Sequence, residues 1–479
     1  MIPKPARIFA RDMEWDELAR FVSATSAAPR LGVVSGRRRQ GKTYLLESLV
    51  EATSGLYFGA TEATETESLA MFVEALRQHV GDQVPSAFVN WDDAIRFLFS
   101  VGADIGPVVI DEFPFLSKAS PALPSIIQRE IDRAVSRESR INLLLCGSAM
   151  SVMGKLLAGS APLRGRASLE LVVRPFDHIL AARFWGISDP RLAAMVHAVV
   201  GGTPAYMRFV DGDAPADMAD FDDWVCRTAL RPARPLFREA RYLLEEETDV
   251  RDTALYHSAL AAVAHGNNTR GGIANYIGRK SADIGHHLNV LEDSGLLRRA
   301  QDILRPGRST YRVAEPLVVF YHVVMRPQWG LLESGRAENV WRTARPRFHA
   351  QVLGPHFEQL CRDYVMSVGF DRFGELASEV GSGVVPDPVR RSQIEVDVVV
   401  LAAPEPGKPR RVLSLGEAKW GEVIGRRQVD RLRRARDLLS GQGFDMSQTV
   451  LACYSGAGFE QDLAGDVVTI GLDDLYRTR

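Results

Sequence analysis

The segment that most constrains this chain is residues 36–43, GRRRQGKT, which match the P-loop pattern G-x-x-x-x-G-K-[ST] without a gap. Glycines let the backbone curl and turn its N–H groups toward phosphates, so the pattern predicts a phosphate cradle. Lys42 is expected to reach the β- and γ-phosphates of ATP, and the Thr43 hydroxyl to bind Mg²⁺. The predicted nucleotide-binding residues are Gly36, Arg37, Arg38, Arg39, Gln40, Gly41, Lys42 and Thr43.

The flanks of this segment support the match. Residues 31–35 read as a short buried strand, and residues 44–50 have the apolar spacing of a helix. A phosphate bound by the loop would therefore lie at a helix N-terminus, where free N–H groups favour an anion.

A second apolar strand, residues 106–111, ends in the carboxylates Asp111 and Glu112, the Walker B pattern. Asp111 is expected to hold Mg²⁺ through water, and Glu112 to orient and activate the attacking water. Strands alternate with helices from the P-loop to this point, which predicts a parallel sheet.

Three further residues are candidates for acting on the γ-phosphate. Residues 141–148 read as another buried strand whose polar tip, Ser148, is the candidate sensor, and Asn142 is a weaker one. Arg166 follows the flexible Gly165 and is the candidate for stabilising transition-state charge, in cis or from a neighbouring subunit. A plain turn and a surface arginine are the alternatives, and a homo-oligomer stays open.

Several motifs follow one another in the order of a known family: F-x-RD at 9–12, GRRRQGKT at 36–43, VVIDEFPFL at 108–116, LLCGSAMSVM at 144–153, PLRGRA at 162–167, RPF at 174–176 and GGTPAYM at 201–207. Together they resemble the archaeal-type P-loop ATPases, relatives of the AAA and STAND classes. Gly202 and Pro204 are similar to the G-x-P motif of STAND-type NTPases. The resemblance covers residues 1 to about 330 and implies an ATP-binding, ATP-hydrolysing domain.

Composition places the chain among ordinary globular proteins. Its 479 residues are 46% hydrophobic and 25% charged, which predicts about three domains. The net charge is −2, so any nucleic-acid binding must come from a local patch. The four cysteines form no C-x-x-C pair, and no stretch approaches 18 uncharged apolar residues. We therefore expect a cytoplasmic protein with no membrane span.

Residues 251–330 contain a winged-helix pattern, after a predicted helical lid at 186–250. Helices are expected at 253–265, 269–278 and 281–292, followed by a hairpin that turns at 305–308. Basic residues cluster near the third helix and the wing, which suits a DNA backbone. Acidic Asp283 and Glu292 lie on the same helix, so a protein partner is the alternative. The basic residues are Arg279, Lys280, Arg298, Arg299, Arg305, Arg308 and Arg312.

The segment 340–479 has a different character. Strand alternation puts Glu417 and Lys419 on one face, and a Pro/Gly turn would return the strand of Asp397 beside them. Two carboxylates and a lysine are the PD-(D/E)xK arrangement of restriction-endonuclease-like nucleases, with Asp397 and Glu417 as metal ligands. Glu358, on the preceding helix, is a possible extra ligand.

This segment also resembles a domain of uncharacterised function found C-terminal to archaeal-type ATPases, a domain that is itself similar to the nuclease fold. It departs from the pattern in having Val396, not proline, before Asp397.

The predicted fold is α/β: a P-loop parallel-sheet ATPase domain (1–185), a helical lid (186–250), a winged helix (251–330) and a C-terminal nuclease-like α/β domain (340–479). Three functions compete: an ATP-driven enzyme acting on DNA, a regulatory ATPase switch with an inactive nuclease-like platform, and a protein that binds nucleotide without turnover. Glu112 argues against the third, because it serves water activation and not binding.

Overall fold

The computed structural model describes residues 2–24, 28–137, 139–245, 253–305, 307–461, 463, 465 and 467–477. The chain divides into two units, Met1–Pro175 with Asp293–Gly295, and Phe176–Glu292 with Leu296–Arg479. Among the described residues, no helix combines the length and the apolar character needed to cross a bilayer.

The first unit is built on a five-stranded parallel sheet in the order β2-β3-β4-β1-β5. Its strands are β1 (Arg30–Ser35), β2 (Leu56–Gly59), β3 (Val108–Asp111), β4 (Asn142–Gly147) and β5 (Ala167–Val172). Its helices are α1 (Asp12–Ser23), α2 (Lys42–Thr53), α3 (Glu65–Val80), α4 (Trp91–Val101), α5 (Phe113–Ala119), α6 (Leu123–Ser136) and α7 (Met150–Leu157).

Strand β4 pairs with both β1 and β3, so one strand separates the strand of the P-loop from the Walker B strand. The central strands β3 and β4 are almost wholly buried, as expected for parallel strands covered by helices on both faces. The predicted parallel α/β sheet is therefore confirmed, and the carboxyl ends of β1, β3 and β4 lie side by side.

The second unit begins with helices: α8 (His178–Phe184), α9 (Pro190–Val200), α10 (Ala205–Phe209), α11 (Phe221–Arg227), α12 (Pro235–Glu245), α13 (Thr253–Ala264), α14 (Arg270–Ile277) and α15 (Gly285–Asp293). The wing hairpin follows as β6 (Leu297–Gln301) and β7 (Ser309–Val313), which pair antiparallel. Next come α16 (Pro316–Phe320), a π-helical turn (Tyr321–Met325), a 3-10 turn (Arg326–Gln328), α17 (Trp329–Glu333) and α18 (Ala337–Arg347).

The C-terminal part of the second unit contains a mixed sheet. A π-helical turn (Phe348–Leu353) leads into α19 (Gly354–Phe373), the helix that carries Glu358. The sheet order is β12-β11-β10-β9-β8, with antiparallel β8, β9 and β10 and then parallel β11 and β12. These strands are β8 (Glu379–Asp387), β9 (Ser392–Leu401), β10 (Val412–Lys419), β11 (Val450–Ser455) and β12 (Val467–Ile470), with helices α20 (Arg426–Gly441) and α21 (Leu472–Tyr476).

The structure has three helices and a hairpin in residues 251–330, with one difference from the prediction. The side chains of Ile284, Leu288 and Leu291 are buried together, but the third helix, expected from residue 281, begins at Gly285. Residues 281–284 form turns instead. The predicted lid, the winged helix and α19 share one hydrophobic core, which is why they form a single unit.

The Gly202–Pro204 motif is a tight junction between α9 and α10. A Cβ atom at Gly202 would lie 1.8 Å from the carbonyl oxygen of Phe176, so only glycine fits there. The main-chain N–H of Phe176 donates to the carbonyl of Gly202 at 2.8 Å. The motif therefore joins the start of the second unit to the end of α9.

Candidate functional site

The P-loop connects β1 to α2 and encloses the side chain of Lys42. Gly36 has φ +149°, and a Cβ atom there would lie 2.4 Å from the carbonyl oxygen of Val173. The Lys42 ammonium donates to the carbonyl oxygens of Gly36 (2.6 Å) and Arg37 (2.9 Å). Burial lowers the pKa of Lys42 despite the opposing carboxylates nearby. An anionic ligand at this buried cation would offset that desolvation.

The Walker B aspartate lies directly beside the P-loop threonine. Oδ2 of Asp111 accepts hydrogen bonds from the hydroxyls of Thr43 (2.7 Å) and Tyr57 (2.8 Å). Burial would raise the pKa of Asp111, but bonds from Cys146, Thr43 and Tyr57 outweigh burial and hold that pKa below its usual value. An ionised carboxylate beside a hydroxyl is a donor set that fits Mg²⁺, so Thr43 and Asp111 are the residues that would hold the ion.

Glu112 is the residue directly before α5, and its backbone is in the left-handed region, with φ 50°. Its two carboxylate oxygens each accept from the hydroxyl of Ser148 at 2.9 Å, and Arg38 Nε donates to the same hydroxyl at 3.3 Å. The structure thus brings Ser148, at the end of β4, to the proposed catalytic glutamate. In this arrangement Ser148 positions Glu112.

The other γ-phosphate candidates lie in different surroundings. Asn142 is the first residue of β4, at the opposite end from Ser148, and its amide donates to the carbonyl of Val22. Arg166 forms a two-pronged ion pair with Asp132 on α6, with N–O distances of 2.8 and 2.9 Å. That pair raises the pKa of Arg166 and lowers the pKa of Asp132. A finger role for Arg166 would require this pair to break, and it stays a prediction.

A second group of charged side chains lies where the end of β10 meets the middle of β9; we call Asp397, Glu417 and Lys419 the carboxylate–lysine cluster. Lys419 Nζ contacts Asp397 Oδ2 at 3.0 Å and Glu417 Oε1 at 3.1 Å. Since both oxygens touch the same atom, they are no more than about 6 Å apart. Burial opposes the charge on Lys419, but the two carboxylates outweigh it and raise the pKa of the lysine.

Glu417 is buried and has an oxygen without a partner. Its Oε1 accepts from Lys419 and Arg431, whereas no hydrogen bond reaches Oε2 among the described residues. Burial, and then the charge of Asp397, raise the pKa of Glu417. A cation at Oε2 would relieve both effects, so the donor chemistry fits a metal ion.

The predicted third ligand, Glu358, is not joined to the other two. The described part of the chain contains no group of three or more acidic, histidine or cysteine side chains arranged to hold a metal ion. Burial, followed by the charge of Asp397, raises the pKa of Glu358 to about 7. Glu358 would therefore have to lose a proton near neutral pH to act as a ligand.

Sequence reasoning missed Tyr57, Arg431 and Arg362. Arg431, on α20, donates to Glu417 and to the carbonyl of Glu395, and Arg362, on α19, donates to the carbonyl of Asp397 at 2.7 Å. The distance along the sequence from Arg431 or Arg362 to Asp397, Glu417 and Lys419 does not predict these contacts. Only the order of the strands and the packing of the helices reveal them.

The basic residues of the winged helix differ in exposure. Arg279, Lys280, Arg298, Arg299 and Arg308 are exposed, while Arg305 and Arg312 are partly buried. The guanidinium of Arg299 lies over the ring of Tyr311.

Comparisons with known proteins find one sequence relative and several solved structures that resemble this chain. No protein-family model matches the chain. An uncharacterized protein of Methanocaldococcus jannaschii is 26% identical over 340 residues, which are 70% of this chain and 72% of that protein.

Among solved structures, a Walker-type ATPase of Pyrococcus abyssi superposes with a TM-score of 0.50 and 19% identity, covering 67% of this chain and 98% of its own. The ORC2 protein of Aeropyrum pernix, solved with ADPNP and ADP, has a TM-score of 0.43 and 15% identity, covering 72% of this chain and 97% of its own. The first of these likenesses shows the fold of a Walker-type P-loop ATPase.

Proposed function

We propose that this chain is an ATPase that binds ATP with Mg²⁺ through its P-loop and hydrolyses it. The observation that carries the proposal is the meeting of four side chains at one edge of the parallel sheet: Lys42, Thr43, Asp111 and Glu112. Bound Mg²⁺ would supply charge stabilisation to the phosphates. Lys42 would bind phosphate oxygens, and Glu112, held by Ser148, would orient water and accept its proton.

The direct experiment measures phosphate release from ATP by the purified chain. We expect slow turnover with Mg²⁺ that disappears in EDTA and returns when Mg²⁺ is restored, because Thr43 and Asp111 need the ion to engage the phosphates. Turnover that is equal with and without EDTA would contradict the proposal.

DNA is the proposed partner of the winged helix, since its exposed arginines suit a phosphate backbone and the chain as a whole is nearly neutral. A protein partner is the alternative, and self-association is compatible with both.

The Arg305→Ala, Arg308→Ala double variant should bind DNA more weakly and lower the salt slope of log K by about 0.9 for each phosphate that the variant no longer neutralises. The measurement is fluorescence anisotropy with labelled duplex at several KCl concentrations. An unchanged slope would remove these two residues from the interface.

A second candidate activity is metal-dependent cleavage of DNA at the carboxylate–lysine cluster. Its support is the buried, unpartnered Oε2 of Glu417 beside Asp397 and Lys419. Strands β8, β9 and β10 form an antiparallel meander, and β11 lies parallel beside β10. Asp397 and Glu417 would hold the ion, and Lys419 would stabilise charge on the attacked phosphate. A regulatory ATPase switch that uses this domain as an inactive platform is the competing function.

A further inference from the structure

Two arginines face each other across the wing hairpin without compensating partners. Arg298 of β6 is directly opposite Arg312 of β7, so both side chains leave the same face of the hairpin. Like charges in directly opposite positions destabilise a strand pair. Among the described residues, neither guanidinium has a hydrogen bond or an ion pair. The fold therefore keeps the positive charges of Arg298 and Arg312 in opposite positions, although their repulsion destabilises the hairpin.

Arg312 is also partly buried, which makes its uncompensated charge more costly. Burial, then the charges of Arg362 and Arg298, lower the pKa of Arg312 to about 10. The acidic residue that acts in the opposite direction is Asp363, whose effect is weaker and whose Oδ1 accepts from Gln359 at 2.6 Å. Arg312 is therefore still cationic at neutral pH and lacks a nearby anion of matching strength.

The charge of Arg362 acts on Arg312, and Arg362 also contacts the carboxylate–lysine cluster. Its side chain is only 16% exposed, and it donates to the main-chain carbonyl of Asp397 at 2.7 Å. Its Nε donates to the side-chain oxygen of Gln359 at 3.0 Å, and its contact with the carboxylate of Glu358 is long, at 3.9 Å. Arginine side chains are therefore present both on the wing strands and beside the main chain of Asp397.

The tip of the wing is fixed on the C-terminal sheet. The N–H of Ile303 donates to the carbonyl of Ser382 at 3.3 Å, and the N–H of Val384 donates to Asp302 Oδ2 at 3.3 Å. Leu304 is buried in the core of this sheet, and a Cβ atom at Gly383 would lie 2.5 Å from its Cδ1. These contacts hold the hairpin against the edge strand β8. The backbone of the wing is therefore anchored on the C-terminal sheet before any ligand arrives.

We propose that Arg298, Arg312 and Arg362, which we call the arginine seam, bind a backbone phosphate of DNA on its way from the winged helix to the carboxylate–lysine cluster. The inference rests on the proposed DNA partner and names the surface that takes it. A phosphate supplies the missing negative charge, and arginine forks match its oxygens in pairs. Because the wing is anchored on the C-terminal sheet, we expect the arginine seam to guide DNA between the winged helix and the carboxylate–lysine cluster.

The test uses the full chain in EDTA without nucleotide, so that neither cleavage nor ATP turnover enters the measurement. Binding of a fluorescein-labelled DNA duplex is followed by anisotropy at several KCl concentrations. Arg312→Met should weaken binding about five- to twenty-fold, reduce the salt slope by about 1, and leave the melting temperature equal or higher. Removal of a buried, repelled cation takes away a destabilising charge, so affinity and stability are expected to move in opposite directions.

Three further variants make the result specific. Arg298→Met should act like Arg312→Met, and Arg312→Lys should recover part of the affinity because it restores the charge but not the fork. Arg342→Met, an exposed arginine of α18 that bonds Asn339, removes the same charge elsewhere and should leave the salt slope nearly unchanged. If Arg298→Met and Arg312→Met bind DNA with the affinity and salt slope of the parent chain, the proposed arginine seam is wrong. DNA would still be the proposed partner in that case. No DNA binding by the parent chain, even at low salt, would overturn the proposed partner and the seam together.

Discussion

Glu112→Gln should lower the rate of ATP hydrolysis by about 10²- to 10³-fold while leaving the affinity for ATP unchanged. Glutamine keeps the size of the side chain and can still accept a hydrogen bond from Ser148. Its amide is not a base, so it cannot take a proton from the attacking water. Single-turnover hydrolysis and equilibrium nucleotide binding, measured on the same preparation, separate the two effects.

The Lys42→Ala variant tests nucleotide binding, and the Glu170→Gln variant is the control. Removing the buried ammonium should abolish nucleotide binding, because the loop then lacks the cation that the P-loop pattern assigns to the β- and γ-phosphates. Glu170 is an exposed glutamate of β5, so the same change there should leave binding and turnover at parental values. If the Glu112 and Lys42 variants lose binding equally, the roles assigned to these residues are wrong.

Asp397→Ala should reduce DNA cleavage below detection with Mg²⁺ or Mn²⁺ while leaving ATP hydrolysis intact. The change removes a carboxylate that touches Lys419 Nζ and accepts from the N–H of Ala418 at 2.9 Å. Without Asp397, a metal ion would keep only Glu417 as a carboxylate ligand, and the lysine would lose one of its two anchors. Labelled single- and double-stranded DNA, incubated with and without ATP, gives the readout. Lys419→Ala should have the same effect, because the charge facing the attacked phosphate disappears.

Asp430→Ala is a matched control for this experiment, since Asp430 is an exposed aspartate on α20. It should cut at the parental rate. Cleavage that persists in the Asp397 and Lys419 variants would place the activity outside the cluster. A parent chain that cuts neither DNA form would favour the regulatory switch, with the C-terminal sheet as a platform.

The fold of the first unit could be predicted because local pattern and long-range order agree there. The loop at 36–43 needs a strand before it and a helix after it, and β1 and α2 supply them. The alternation of strands and helices leaves few alternatives to a parallel sheet. Helix starts are harder to predict from local propensity: α1 begins at Asp12, directly after the left-handed backbone of Arg11. The third helix of the winged-helix pattern likewise starts at Gly285 and not at residue 281, because residues 281–284 form turns.

The candidate sites were predictable only where neighbours in sequence are neighbours in space. Glu417 and Lys419 share a face because strand side chains alternate, and a hairpin sufficed to place Asp397 beside them. Tyr57 contacts Asp111 only because β2 pairs with β3, an order that the sequence does not specify. Arg312 and Arg362 come from a strand and a distant helix, and their electrostatic interaction depends on the packing of the whole second unit.

The central claim, that the P-loop binds ATP for hydrolysis, is tested most directly by calorimetric titration of the full chain with ATP and Mg²⁺. The account predicts one ATP bound per chain in the parent and in the Glu112→Gln variant, and no binding in the Lys42→Ala variant. Parental affinity in the Lys42→Ala variant, or no binding by the parent chain, would contradict it.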